Sequence, residues 1–414
     1  MLLKKELQLP CGATLPNRIA KSAMSENMSP HHHGPTKELV HVYKRWADGG
    51  CGLIITGNVM IDSRALGEPG NVVVEDRKDM DLLIKWADSV KGTNLHIWPQ
   101  LNHPGRQAMA AGLNKEIVAP SAKGIKIPVM FKEPRALEEA EIWDIIDRFG
   151  NTALIMKEAG FTGVQIHGAH GYLVSQFLSP RSNQREDQWG GSLKNRARFA
   201  LEVYRNIRAK VGAEYPIGIK INSADFQHGG FTEEESMQVV EMLSAEGMDL
   251  IEISGGTYEK SAMMGALKKE STRAREAFFL DYIEKVRKIT QTPLMLTGGF
   301  RTVSTMENAL AEGNLDVVGI ARPFTLYPNL PKRIFSGELE NIDIPTAKTG
   351  IKSVDKGGFV DLTWHEVHIR RLGEGKEPNP KLSALTIIGH NMGGFMKKML
   401  PNIPLINPKK KRGF

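Results

Sequence analysis

Cysteine is scarce in this chain of 414 residues, which contains only Cys11 and Cys51. Two thiols are too few for a disulfide framework, and they exclude four-cysteine zinc and iron–sulfur sites. No apolar run approaches the roughly 18 residues that a membrane-spanning helix needs. The opening residues, MLLKKELQLP, lack the apolar core of a secretory signal. A reduced, cytoplasmic protein with no membrane partner is therefore expected.

Excess charge is also modest and is concentrated at one end. The formal net charge is +7, and four of the positive charges lie in the tail at 409–412. We expect this tail to be a solvated, disordered end, with an address or a nucleic-acid contact as the alternative. Nothing else in the chain resembles a nucleic-acid-binding module.

Metal-binding motifs are missing as well. The triplet His31-His32-His33 invites a metal interpretation, but adjacent residues rarely converge on one ion. The HExxH and CxxC spacings do not occur. We expect a solvated loop at the triplet and no metal site.

Short apolar runs alternate with helical patterns, as is typical of repeated βα units around a parallel sheet. Eight strands are predicted, at 17–23, 52–60, 95–101, 163–167, 216–222, 250–254, 293–297 and 317–321. Helices are predicted between them at 37–48, 79–90, 138–159, 193–211, 233–246, 274–289 and 304–312. Eight repeats favour a (β/α)₈ TIM barrel with its active site at the carboxyl ends of the strands. A doubly wound open sheet is the alternative, but no GxGxxG follows an early strand.

Several segments exceed simple connections. Residues 1–16 indicate a short hairpin that plugs the barrel floor, and loops 104–135 and 257–272 are candidate caps on the opposite face. We therefore assign residues 1–336 to the barrel. Residues 337–414 form a C-terminal extension with one amphipathic helix at 362–372, which we expect to pack on the barrel. The oligomeric state is left open.

The stretch Val164–Leu173 carries the richest chemistry, because His167, His170 and Tyr172 directly follow a strand pattern. Gly168 and Ala169 indicate that the strand stops at His167 and turns, so that all three side chains converge on one pocket. Two N–H donors beside a phenol suit the polarisation of a carbonyl oxygen and the protonation of the adjacent carbon. The alternatives are core histidines or two metal ligands that await a third.

Other polar or small residues lie at the remaining strand ends. Gly298, Gly299 and Arg322 end strands seven and eight, the corner where barrels commonly bind phosphate, although tight turns and a surface arginine would look the same. Lys220 faces the barrel interior from strand five, where it either pairs with Glu252 or lies against the N1/O2 edge of a flavin. Gln100 suits the pyrimidine edge of such a ring, or is an ordinary polar strand end.

Taken together, the motifs resemble those of the old yellow enzyme family, the FMN-dependent ene reductases and their NADH:flavin oxidoreductase relatives. The matching segments are AMS at 23–25, QLNHPGR at 100–106, HGAHGY at 167–172, QFLSP at 176–180, GGS at 190–192, GG at 298–299 and RPF at 322–324. The resemblance covers roughly residues 5–335. It implies a non-covalent FMN held by Ala23, Met24, Ser25, Gly57, Gln100, Lys220, Gly298, Gly299, Ala321 and Arg322.

The resemblance also implies an activity. NAD(P)H would reduce the flavin, and an α,β-unsaturated carbonyl compound would then be reduced, with its oxygen held by His167 and His170 and its α-carbon protonated by Tyr172. Lys220 stands where many relatives have arginine. The alternatives are a dehydrogenase or demethylase of a small amine or steroid, a flavin-free phosphate-binding lyase, and a flavin-binding sensor without turnover.

Overall fold

Eight parallel strands close into a barrel in the computed structural model, which describes residues 1–110, 113–125, 131–255, 279–351, 355, 358–384 and 387. The strands are β1 Ile19–Lys21, β2 Leu53–Met60, β3 His96–Asn102, β4 Val164–Gly168, β5 Ile217–Asn222, β6 Leu250–Ser254, β7 Leu294–Thr297 and β8 Val317–Ile320. β1 pairs with both β8 and β2, which closes the sheet. The predicted TIM barrel is confirmed, with strand ends within two residues of those expected.

The connecting helices form the outer layer. They are α1 Lys37–Asp48, α2 Met80–Ala87, α3 Glu139–Glu158, α4 Leu173–Leu178, α5 Leu193–Val211, α6 Glu233–Ala245, α7 Leu280–Arg287, α8 Val303–Ala311, α9 Leu330–Phe335 and α10 Phe359–Gly373. Short polar side chains set where they begin: Thr36, Ser192 and Thr302 cap α1, α5 and α8. Thr232 and Glu235 form a reciprocal capping box at α6. Residues 274–278 of the predicted helix 274–289 lie outside the described residues.

Minor elements complete the described chain. Two-residue strands occur at Leu7–Gln8, Thr14–Leu15, Val72–Val73, Val118–Ala119 and Arg135–Ala136, and 3₁₀ turns at Leu2–Lys4, Asp88–Val90, Gly105–Gln107 and Arg322–Thr325. Within the described ranges, no helix combines the length and apolar character that crossing a bilayer requires.

The N-terminal hairpin seals the amino end of the barrel. Leu7–Gln8 pairs antiparallel with Thr14–Leu15. Leu9 and Leu15 are buried in one apolar cluster with the barrel residues Trp98 and Met295. The amide of Cys11 donates a hydrogen bond to Asp249 Oδ1 at 2.9 Å, at the start of β6. The hairpin therefore fills the floor and leaves the carboxyl ends of the strands as the open face.

The C-terminal extension contacts the barrel through α10, which packs against α1. Trp364 is buried, and its indole N–H donates to the Leu382 carbonyl at 2.9 Å. His365 Nδ1 lies 2.8 Å from the hydroxyl of Thr325, which follows β8. The domain boundary at residue 336 stays a prediction. The second predicted cap, 257–272, and the basic tail lie outside the described residues.

Candidate active site

Three aromatic side chains meet at the carboxyl end of β4. The ring of His167 lies 5.2 Å from the ring of His170 and 4.6 Å from that of Tyr172, between centroids and edge to face in both cases. His167 and Tyr172 are buried, with 4% and 7% of their surfaces exposed. The structure thus brings together the three residues predicted to act in catalysis.

The backbone reaches this arrangement differently from the sequence prediction. β4 continues through Gly168, so the expectation that the strand stops at His167 is wrong by one residue. The turn comes instead at His170, whose φ of +61° is in the left-handed region, followed by Gly171 at +80°. A histidine in that region costs free energy and needs outside support. Asn222 supplies it, because its Oδ1 accepts the His170 N–H at 3.1 Å.

Both histidines are held neutral. Burial, chiefly, and the nearby positive charge of Lys220 lower the pKa of His170 to about 3. Burial also places the pKa of His167 well below its usual value, with further lowering from His170 and Lys220. Nδ1 of His167 accepts the Ala169 N–H at 3.4 Å, which leaves the ring proton on Nε2. A neutral imidazole in this tautomer has one hydrogen-bond donor, Nε2.

A chain of polar groups crosses the barrel interior beneath these rings. Lys220 Nζ lies 3.0 Å from Glu252 Oε1, so the ion-pair alternative raised by the sequence is present. Gln165 Nε2 donates to Glu252 Oε2 at 2.7 Å, and Gln100 Nε2 donates to Gln165 Oε1 at 2.7 Å. Thr297 donates to Glu252 at 2.6 Å. All five side chains project inward from β3 to β7.

The segment after β1 lies on the opposite side of the mouth. The Ser25 hydroxyl donates a hydrogen bond to the Glu68 carboxylate. The amide of Gly57 donates to Glu26 Oε1 at 2.8 Å. A Cβ at position 57 would lie only 2.4 Å from the Met24 carbonyl oxygen, so a side chain there would displace the segment 23–25. Glycine at 57 therefore permits the close approach of β2 to this segment.

The ends of β7 and β8 form the corner predicted to bind phosphate. Gly298 and Gly299 have φ values of +129° and +93°, which glycine adopts most readily. Arg322 lies two residues after the end of β8. Its half-exposed guanidinium is 3.0 Å from Asp361 Oδ2 in α10. The C-terminal extension thus reaches this corner through Asp361.

Some residues of the site were missed at the level of sequence. Gln165 and Thr297 join Glu252 to its neighbours, and Ser254 Oγ lies 2.8 Å from His170 Nε2. The period-two alternation in each strand could have identified them as inward-facing, because residues two apart share a face. His31 and His32, by contrast, are exposed, and no metal-binding cluster occurs among the described residues.

The donor set at the mouth fits FMN. Lys220 on β5 supplies a buried cation suited to the N1/O2 edge of an isoalloxazine, and Gln100 on β3 supplies a side-chain amide suited to the pyrimidine edge. The glycines at the β7 end and Arg322 suit a phosphate group.

Comparison with known proteins identifies the family. The model of the NADH:flavin oxidoreductase / NADH oxidase family matches residues 8–341. The chain belongs to this family, that of the old yellow enzymes, and its cofactors are FMN and a nicotinamide nucleotide.

Among relatives, the NADH-dependent flavin oxidoreductase iliE of Hypocrea jecorina is 39% identical, over 81% of this chain and 90% of the relative. The NADH oxidase of Thermoanaerobacter brockii is 34% identical over 79% of this chain, which spans about half (50%) of that protein. Morphinone reductase in complex with tetrahydroNAD has the same fold, with a TM-score of 0.70 and 25% identity over 83% of this chain and 93% of that one. The flavin-free lyase is no longer an alternative.

Proposed function

We propose that the protein uses NAD(P)H to reduce the C=C bond of α,β-unsaturated carbonyl compounds. The observation that carries the proposal is the cluster of His167, His170 and Tyr172 at the barrel mouth, two neutral donors beside a phenol. The relative named as NADH-dependent supports the nicotinamide donor.

The two imidazoles bind the carbonyl oxygen of the substrate in this proposal. Their low pKa values keep them neutral at pH 7, so each donates one hydrogen bond without carrying charge. Such donors stabilise the negative charge that develops on the oxygen as the alkene is reduced. When bound, FMN supplies through N5 the hydride that adds to the β-carbon.

Tyr172 is the proton donor in the proposal. Its ring packs edge to face on His167, which fixes the phenol beside the carbonyl-binding pair. The phenol O–H gives its proton to the α-carbon and is restored from solvent.

The test is Tyr172→Phe, followed as two separate half-reactions under anaerobic conditions. Bleaching of the flavin by NADH or NADPH should stay within about threefold of wild type, while reoxidation by 2-cyclohexenone should slow about 100-fold, the usual contribution of a general acid. The matched control is Tyr204→Phe. Tyr204 lies on α5, outside the barrel interior, and its hydroxyl donates a hydrogen bond to the Gly247 carbonyl at 2.8 Å.

Each result separates the alternatives. Unchanged reoxidation would remove Tyr172 from the proton-donor role. Loss of both half-reactions in Tyr172→Phe alone would assign the residue to cofactor binding. Bleaching of the wild-type flavin by a secondary amine, with no response to an enone, would favour the dehydrogenase alternative.

A further inference from the structure

A fully buried ion pair lies inside the barrel, beneath the candidate active site. Lys220 on β5 and Glu252 on β6 are direct neighbours in register, and their side chains are 4% and 0% exposed. Taking both charges out of water costs free energy that their mutual attraction offsets only with good geometry and further hydrogen bonds. Such a pair is weak evidence for stability, and its role is better sought in function.

Glu252 is anchored on both of its oxygens. Oε1 lies 3.0 Å from Lys220 Nζ and accepts from Thr297 at 2.6 Å, while Oε2 accepts from Gln165 at 2.7 Å. Three donors fix the orientation of the carboxylate. The carboxylate therefore lies directly against the Lys220 ammonium, in one fixed orientation.

We infer that Glu252 is a positioning residue that sets the redox potential of the bound flavin by offsetting the charge of Lys220. The inference rests on the proposed contact between Lys220 and FMN. An uncompensated ammonium near the N1/O2 edge stabilises the anionic form of reduced FMN, so it favours reduction and raises the potential. A paired ammonium does so less strongly. Glu252 thus keeps the flavin a stronger hydride donor than the lysine alone would allow.

The experiment measures the midpoint potential of the FMN-loaded protein by anaerobic titration against a reference dye, at pH 6.0 and pH 8.5. Glu252→Gln should increase the preference for reduced over oxidised FMN about tenfold at pH 6.0. For a two-electron couple this raises the midpoint potential by ~30 mV. The increase should be smaller at pH 8.5, because an unpaired buried amine releases its proton more readily.

Two further variants separate charge from structure. Thr297→Val removes one hydrogen bond to the Glu252 carboxylate but removes no charge. The preference of this variant for reduced over oxidised FMN should stay within about threefold of wild type. The double variant Lys220→Gln with Glu252→Gln removes both charges together, and its preference for reduced over oxidised FMN should lie at or below that of wild type, because the paired ammonium of wild type still favours reduction. It leaves no unpaired charge, so it decides the question if Glu252→Gln alone does not fold.

The inference is overturned if Glu252→Gln leaves the potential unchanged at both pH values, or lowers it. It is equally overturned if Thr297→Val reproduces the shift, or if the double variant prefers reduced FMN more strongly than wild type does. No enone enters the titration, so a protein that binds FMN but fails to reduce enones still gives a decisive result here.

Discussion

At the scale of single residues, burial of histidine in neutral form is the most consequential feature. His103 is buried at the end of β3, and burial lowers its pKa to about 4. His170 and His365 have pKa values lowered to about 3, also mainly by burial. In the unfolded chain each of these groups titrates near pH 6.5.

Stability should therefore fall on acidification. Between pH 6.5 and about 4 the unfolded chain binds more protons than the folded protein, so the free energy of unfolding decreases as pH is lowered. Each such histidine should lower the free energy of unfolding by about 2 kcal/mol between pH 8 and pH 5. Urea unfolding at the two pH values measures the difference.

The matched variants for this prediction are His103→Gln and His41→Gln. The first removes one buried histidine and should reduce the pH-dependent loss by about 2 kcal/mol. His41 is exposed on α1, and its replacement should leave the loss unchanged. An equal loss in His103→Gln and wild type would contradict the assignment.

At the scale of elements, Asp249 connects three parts of the barrel floor. Its side chain is 1% exposed, and Oδ2 accepts from Arg208 of α5 at 2.7 Å and from the Ile217 amide of β5 at 2.8 Å. Oδ1 accepts from the Cys11 amide of the N-terminal hairpin. The Asp249 carboxylate thus joins the N-terminal hairpin, α5 and β5 to the start of β6.

Asp249→Ala should reduce the free energy of unfolding by about 3 kcal/mol or more, because it leaves a guanidinium and two amides without their acceptor. Chemical denaturation followed by circular dichroism measures the loss. The control is Asp48→Ala, which breaks an exposed ion pair with Lys44 one turn away on α1 and should cost under about 0.5 kcal/mol. Similar losses in both variants would show that Asp249 does not connect these elements.

At the scale of the whole molecule, the extension is joined to the barrel close to the end of β8. Trp364 packs with Leu326, which follows β8, and Asp361 pairs with Arg322. On the outer surface, Arg45 of α1 lies 2.7 Å from Glu377. These contacts join α10 to the barrel, and we expect the two parts to unfold together.

Trp364→Ala tests that expectation. Removal of a buried indole costs about 3 kcal/mol, and the loss should lower the urea midpoint at which FMN is released as well as the midpoint seen by circular dichroism. Trp143→Ala, at a site 44% exposed, is the control and should cost about 1 kcal/mol or less. An unchanged midpoint for FMN release in Trp364→Ala would mean that the extension unfolds on its own.

Strand and helix patterns were enough to predict the barrel, and the motif at 167–172 was enough to predict the catalytic candidates. The alternation of Ile217, Ile219 and Ile221 around Lys220 predicts both the strand and the inward-facing lysine, because side-chain direction in a strand has period two. Spacing of strands and helices predicts eight βα repeats, and the segment 167–172 predicts the ring cluster.

Contacts between groups far apart in the chain are visible only in the folded protein. The links from Gln100 through Gln165 to Glu252 join three strands, and the pair of Arg322 with Asp361 joins the barrel to the extension. Local pattern cannot specify such contacts, since they depend on the register at which the sheet closes and on how α10 packs. Secondary-structure propensity reflects interactions between residues that are near each other in the chain. The partner of a buried charge depends instead on which groups the closed barrel places within hydrogen-bonding distance.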